Sequence, residues 1–150
     1  MSCFPDTSFL CALYRTQASS PLADQFMMRL SGSLPVSSLL LLEFRQSVRL
    51  QIRLHLSNRR KGFSQREGQQ MLNDVQMDLN AGLLMATPVD WSAVHQRAEA
   101  LSGAHTLAAG HQLANILHVA TALQLGVTEF LTFDANQKKL AVAEGFIVPI

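Results

Sequence analysis

Charge is scarce in this chain: 15% of its 150 residues are Asp, Glu, Lys or Arg, and the net charge is +1. A balance so close to zero points to no oppositely charged partner. Nowhere does an uninterrupted apolar run approach 18 residues, which leaves no candidate for a membrane-spanning helix. The opening residues MSCFPDTSFL lack both a basic stretch and a long apolar one, so neither a secretory leader nor an anchor is expected, and a cytoplasmic protein is. Cys3 and Cys11 are the only cysteines, and without a leader they are expected as two reduced thiols rather than a disulfide. Repeats and low-complexity tracts are absent too. Phe9, Phe26, Met27, Met28 and Trp91 are assigned to the core, which leaves no exposed aromatic platform for stacking single-stranded bases.

What the chain does have is apolar content, 48% of residues, in a length that suits one domain spanning residues 1–150. Short β-rich runs at Ser2–Phe4, Leu34–Ser37, Leu83–Thr87, Glu129–Thr132 and Phe146–Ile150 alternate with helical patterns. The helices are expected at Ser8–Arg15, Leu22–Ser31, Leu39–Leu56, Gln65–Ala81, Ala93–Leu101, Gln112–Leu125 and Ala135–Glu144. Glycines 32, 82, 103, 126 and 145 stand where helices should close. Ser37 and Ser38, Ser64 with Glu67 three residues on, and Pro88-Val89-Asp90 mark helix starts. Strand followed by helix, repeated, implies an α/β fold with a parallel sheet covered on both faces. Pro5 is tolerable only as the last residue of its strand, having no N–H for a ladder. Between the third and fourth helices, Asn58-Arg59-Arg60-Lys61-Gly62 reads as the turn of a helical hairpin over about 39–81.

Short acids and amides planted in apolar segments are the informative feature: Asp6, Glu43, Asn115 and Asp134. Carboxylates are rarely buried unless a partner offsets their charge, and a divalent cation can serve several at once. Asp6 and Asp134 each follow a strand, and in open parallel sheets ligands bind outside the carboxyl ends of strands. Glu43 interrupts Leu39-Leu40-Leu41-Leu42 and Phe44, so a helix buried on most sides carries one carboxylate into the interior or to its edge. Thr7 and Ser8 are expected to cap the helix after Asp6 or to hold a metal-bound water.

The order of these residues resembles the PIN domain, most closely the toxin ribonucleases of VapBC toxin–antitoxin type. The resemblance rests on Asp6-Thr7-Ser8, on Val36-Ser37-Ser38-Leu39 through Glu43, and on the stretch from Gly110 to Gly126 with Ile116-Leu117-His118-Val119-Ala120-Thr121-Ala122. Phe130-Leu131-Thr132-Phe133-Asp134 with Gln137, Leu140 and Ala141 completes it, so that it covers the whole chain. It implies a three-layer α/β/α sandwich around a mostly parallel five-stranded sheet. It further implies an Mg²⁺ or Mn²⁺ site, endoribonuclease activity, an antitoxin partner and a homodimer. Its catalytic and metal-binding positions fall on Asp6, Glu43, Asn115 and Asp134, with Thr7, Ser8, Thr132 and His118 in support. Two positions depart from the pattern: Asn115 stands for the third acid and Gln112 where arginine is frequent. An asparagine can still offer its carbonyl oxygen to a hard cation, but it carries no charge and accepts no proton, so site charge falls from about −4 to −3.

Two rivals remain open: a catalytically degenerate PIN domain that binds RNA or protein, and a phosphotransfer domain using Asp6 as nucleophile. Ser8, where the commonest version of the latter has an acid, argues against it. On the helix after Gly110, His111, Asn115 and His118 fall within about 60° of one another and share a face, where a transition-metal site on both imidazoles is weighed against a core or rim place for His118. Seven of the twelve Lys and Arg residues, Arg45, Arg49, Arg53, Arg59, Arg60, Lys61 and Arg66, occupy an interval with no acid and form a candidate phosphate track. Leu50, Ile52, Leu54 and Leu56 exceed the needs of one core face and suit either a dimer or antitoxin groove, as the resemblance implies, or ordinary packing between two helices.

Overall fold

The computed structural model describes residues 1–150. Its strands are β1 (Cys3–Pro5), β2 (Leu34–Val36), β3 (Leu84–Ala86) and β4 (Glu129–Leu131). The helices are α1 (Thr7–Tyr14), α2 (Ser20–Arg29), α3 (Ser38–Ser57), α4 (Gln65–Ala81), α5 (Trp91–Leu101), α6 (Leu107–Ala109), α7 (Leu113–Leu125) and α8 (Ala135–Ala143). β1 pairs with β4 and β2 with β3, both in parallel, with Phe4 opposite Phe130 and Pro35 opposite Met85. The result is the α/β architecture expected, with parallel strands inside and helices outside.

The expected five-stranded sheet is corrected to four short strands, and prolines explain the difference. Asp6 N–H donates to Leu131 in β4, so Pro5, one residue earlier, turns its nitrogen to the other edge, toward β2. Leu34 N–H donates to Leu83 beside β3, so Pro35 likewise turns its nitrogen toward β1. β1 and β2 lie side by side, but the seam between them lacks a donor from each strand, and the sheet divides there into two hydrogen-bonded pairs. The fifth strand, expected at Phe146–Ile150, shrinks to one bridge between Glu129 and Ile147. Ile147 N–H donates to Thr128, and the next residue facing β4 is Pro149, which has no N–H to continue the ladder.

Helix starts follow the caps. Ser37, Ser64 and Asp90 each accept from the backbone N–H three residues on. Ends follow less closely. Gly103 does not close α5; the path runs on through a π-helical segment, Ser102–Thr106, and α6 until Gly110 takes a left-handed backbone at φ 68°. α3 and α4 pack as an antiparallel pair, with Gly68 against Ile52 and Gly62 against the Gln51 carbonyl.

The core is one cluster in which Phe4, Phe9, Phe44, Phe130, Leu10, Leu34, Leu40, Leu84, Leu131 and Leu140 are fully buried. Met28, expected there, is instead 80% exposed. It lies two positions, about 200°, around α2 from buried Phe26. Leu42, Leu50, Leu54 and Leu56 are exposed along α3, whereas Ile52 packs inward. Cys3 and Cys11 are free thiols. No helix is long and apolar enough to cross a membrane.

Candidate active site

Asp6 lies directly beyond β1, and Thr132, Phe133 and Asp134 directly beyond β4, so the hydrogen bonding of β1 to β4 brings these two chain segments to one edge of the sheet. Asp6 is 3% exposed. Its Oδ1 accepts from Ser8 Oγ at 2.6 Å and from Phe9 N–H at 3.1 Å, and its Oδ2 accepts from Thr132 Oγ1 at 2.5 Å. Asp6 itself is therefore the cap of α1, a correction to the expectation that Thr7 or Ser8 would serve. Ser8 instead spans the crevice, donating to Asp6 while its oxygen accepts from Phe133 N–H at 2.9 Å.

Burial pushes the Asp6 carboxyl above the usual aspartate range, against the pull of Ser8, Thr132, the Phe9 N–H and the nearby His118 imidazole. No lysine or arginine pairs with Asp6, Glu43 or Asp134; the ion pairs of the chain are Arg15–Glu67, His105–Glu144 and His118–Glu43. An ionised Asp6 thus has no cationic side chain in contact.

The remaining positions join Asp6 in a ring of contacts. Thr132 Oγ1 also accepts from Asp134 N–H at 3.0 Å, and Asp134 Oδ1 caps α8 by accepting from Gln137 N–H at 2.8 Å. Gln137, fully buried, donates through Nε2 to the Asn115 backbone oxygen at 3.3 Å. One turn along α7, His118 Nε2 meets Glu43 Oε1 at 3.0 Å, and Thr7 Oγ1 donates to the same oxygen. Thr7 is chain neighbour to Asp6, which closes the ring. The hydrogen bond from His118 leads in holding the Glu43 carboxyl below the usual glutamate range, opposed by partial burial and helped by Thr7.

His111 is outside this constellation. α7 begins only at Leu113, its cap Gln112 has extended backbone, and Gly110 is left-handed, so the shared face with Asn115 and His118 does not form. The His111 ring lies 6.5 Å from His105, and its Nδ1 is 3.3 Å from the Asn136 amide. Sequence reasoning names Gln137 only within the stretch that carries the resemblance, beside Leu140 and Ala141, and gives it no role in the site. Cys11 lies close enough for Asp6 and Glu43 to help burial raise its thiol pKa, which keeps it protonated and poor as a nucleophile. Burial likewise pushes Cys3 up to about 11.

Whether these residues suit a hard divalent ion turns on oxygens that remain free. Glu43 Oε2, Asp134 Oδ2 and the Asn115 side chain carry no hydrogen bond within the protein, and the buried Gln137 Oε1 is an orphan. All are oxygen donors of the kind Mg²⁺ and Mn²⁺ prefer. No three His, Cys, Asp or Glu side chains form a ligand set as they stand, so an ion here would have to draw the carboxylates together. Two of the acids are occupied as helix caps and the third by Thr7 and His118. None of Arg45, Arg49, Arg53, Arg59, Arg60 and Lys61 forms an ion pair. Arg45 is half-buried and reaches Gln76 at 3.4 Å, while the other five are exposed along α3 and the hairpin turn.

No family model and no curated protein matches the sequence. Solved structures do match its shape. VapC20 of Mycobacterium tuberculosis, described as a toxin that cleaves the sarcin–ricin loop, superposes with a TM-score of 0.67 over 97% of each chain at 20% identity. FitAcB of Neisseria gonorrhoeae superposes with a TM-score of 0.58 over 93% of each chain at 16% identity. The chain shares the fold of these two proteins, the PIN-domain fold that its sequence resembles.

Proposed function

We propose that this PIN fold is a metal-dependent endoribonuclease, the toxin half of a toxin–antitoxin pair. The observation that carries the reading is Asp6: a carboxylate buried at the carboxyl ends of two parallel strands, linked through the Thr132 hydroxyl to the Asp134 backbone and followed in the chain by Thr7, whose hydroxyl holds Glu43, with no lysine or arginine in contact. Holding that charge out of water costs several kcal/mol unless a cation shares the site. The match to a toxin described as cleaving RNA's sarcin–ricin loop supports RNA as the substrate class.

Asp6, Asp134 and the Asn115 carbonyl would hold Mg²⁺ or Mn²⁺. When bound, the ion supplies a Lewis acid beside the phosphodiester, easing deprotonation of water and offsetting charge on the leaving oxygen. Glu43, fixed through Oε1, keeps Oε2 free toward the ion, where its charge would add to ion binding, and free to orient the attacking water and take its proton. Ser8 and Thr132 hold Asp6 through both oxygens, so that its position is set before substrate arrives. Exposed Arg49, Arg53, Arg59, Arg60 and Lys61 would carry the RNA backbone, and exposed Leu42, Leu50, Leu54 and Leu56 would face a second copy or an antitoxin.

Cleavage of a fluorophore–quencher RNA in Mn²⁺, comparing native protein with Asp6→Ala and with EDTA, tests the reading. Native activity should exceed both controls; equal rates would end it. A degenerate PIN domain that binds without cutting is favoured by Asn115, which removes one charge from the ligand set. That reading expects native protein to bind the RNA and leave it intact.

A further inference from the structure

We propose that His118 is a positioning residue, which clamps one oxygen of Glu43 so that the other is held toward the crevice; this rests on the nuclease reading above. Glu43 has three rotatable side-chain bonds and sits partly exposed on α3, so by itself its carboxylate would sample several orientations. Two donors on Oε1 remove that freedom. Thr7 approaches from α1 and His118 Nε2 from α7, at 3.0 Å, so that three helices fix one carboxylate.

His118 is a rigid post for this purpose. Its side chain is 1% exposed, between the buried Ile116, Val119 and Ala122 of the same helix. An ionised Glu43 can only accept, so Nε2 carries the hydrogen. The other ring nitrogen, Nδ1, is then buried with no partner. An orphaned buried nitrogen lowers stability. A leucine of similar volume would avoid that cost, so packing alone does not account for an imidazole here. The feature that packing leaves unexplained is the bond to Glu43. Asn115, one turn away on α7, makes that restraint more consequential: with one acid missing, fewer charged groups remain to place the water.

The test compares native protein, His118→Leu and His118→Gln, the glutamine placing an N–H donor as many bonds from Cα as Nε2. His118→Leu should lower kcat on the fluorophore–quencher RNA by roughly 10–100-fold with KM unchanged, and His118→Gln should restore most of it. Thermal melting in EDTA should show His118→Leu at or above the native midpoint, the opposite of what a structural histidine would give. Calorimetric titration of Mn²⁺ without RNA should show affinity weakened by roughly 10–100-fold in His118→Leu and preserved in His118→Gln.

Unchanged kcat and Mn²⁺ affinity in His118→Leu, a lowered midpoint in that variant, or a glutamine as impaired as the leucine would each overturn the proposal. Should native protein cleave no faster than Asp6→Ala, the nuclease reading fails, while melting and Mn²⁺ titration still decide the role of His118. Absence of Mn²⁺ binding to native protein would overturn both.

Discussion

Asp6 and Thr132, separated by 126 positions in the chain, meet in a 2.5 Å hydrogen bond from the threonine hydroxyl to the buried carboxylate. The same hydroxyl accepts from Asp134 N–H, so one oxygen ties the end of β1 to the start of α8. Thr132→Val keeps the shape and deletes that oxygen. It leaves Asp6 short of a donor and Asp134 short of an acceptor, a loss of about 1–3 kcal/mol each way. Urea unfolding should show destabilisation of at least about 1 kcal/mol; a valine variant as stable as native would show that the hydroxyl contributes nothing to the site.

Asp6 gives a pH dependence whose sign follows from its burial. Its folded pKa is raised, so its contribution to stability is complete below the unfolded value of about 3.9 and is lost as pH climbs through the raised one. Asp6→Asn has no such loss. In EDTA, the melting difference between Asp6→Asn and native protein should grow in favour of asparagine from pH 4 to pH 7. Mn²⁺ should narrow the gap by stabilising native protein more than the asparagine variant. A gap that closes as pH rises would contradict the assignment.

Much of this arrangement is legible in the sequence, and the exceptions have definite causes. Ser37, Ser64 and Asp90 announce α3, α4 and α5 because a cap is a local device, read from four consecutive residues. The fifth strand fails because Pro149 removes the next ladder donor, a loss visible in sequence only once the register with β4 is known. Asp6 stands out as a carboxylate ending an apolar strand. The bond between His118 and Glu43 does not, since it joins residues 75 apart whose meeting depends on how α7 packs beside α3. Periodicity puts His111 on the wrong element for a similar reason: extended Gln112 starts α7 at Leu113, one residue later than expected, and leaves His111 outside the helix.

Asn115 lowers the charge of the constellation by one where a hard cation is expected. Its side chain makes no hydrogen bond in the protein, so an added carboxylate breaks no contact. Asn115→Asp should therefore bind Mn²⁺ roughly tenfold more tightly, about 1.4 kcal/mol, and cleave RNA faster than native protein. Isothermal titration of both proteins decides the point, and equal affinities would remove Asn115 from the ligand set.

The α3–α4 hairpin offers a contrast between two glycines. A Cβ at Gly62 would lie 2.1 Å from the Gln51 carbonyl, on backbone already at φ 61°, so neither partner can yield. At Gly68 the Cβ would meet the Ile52 side chain at 2.3 Å, which can rotate away. Gly62→Ala should cost about 1–3 kcal/mol or more and Gly68→Ala less, as read by urea midpoints. The reverse order would mean that the hairpin turn is free to re-form.

Arg49 and Arg53 lie one helical turn apart on the exposed side of α3, with no carboxylate paired to either. If the RNA backbone runs along this face, each releases condensed counterions on binding, and affinity falls with salt in proportion to the number of phosphates neutralised. Measured in EDTA, where cleavage is blocked, the double variant Arg49→Ala, Arg53→Ala should bind single-stranded RNA more weakly. Its log Kd against log salt should be shallower by about 0.7 for each phosphate that is no longer neutralised. Melting should be unchanged, because neither guanidinium takes part in an ion pair. A slope equal to native would take RNA off α3 and leave the two arginines to an acidic protein partner, for which the same variant should lose binding instead.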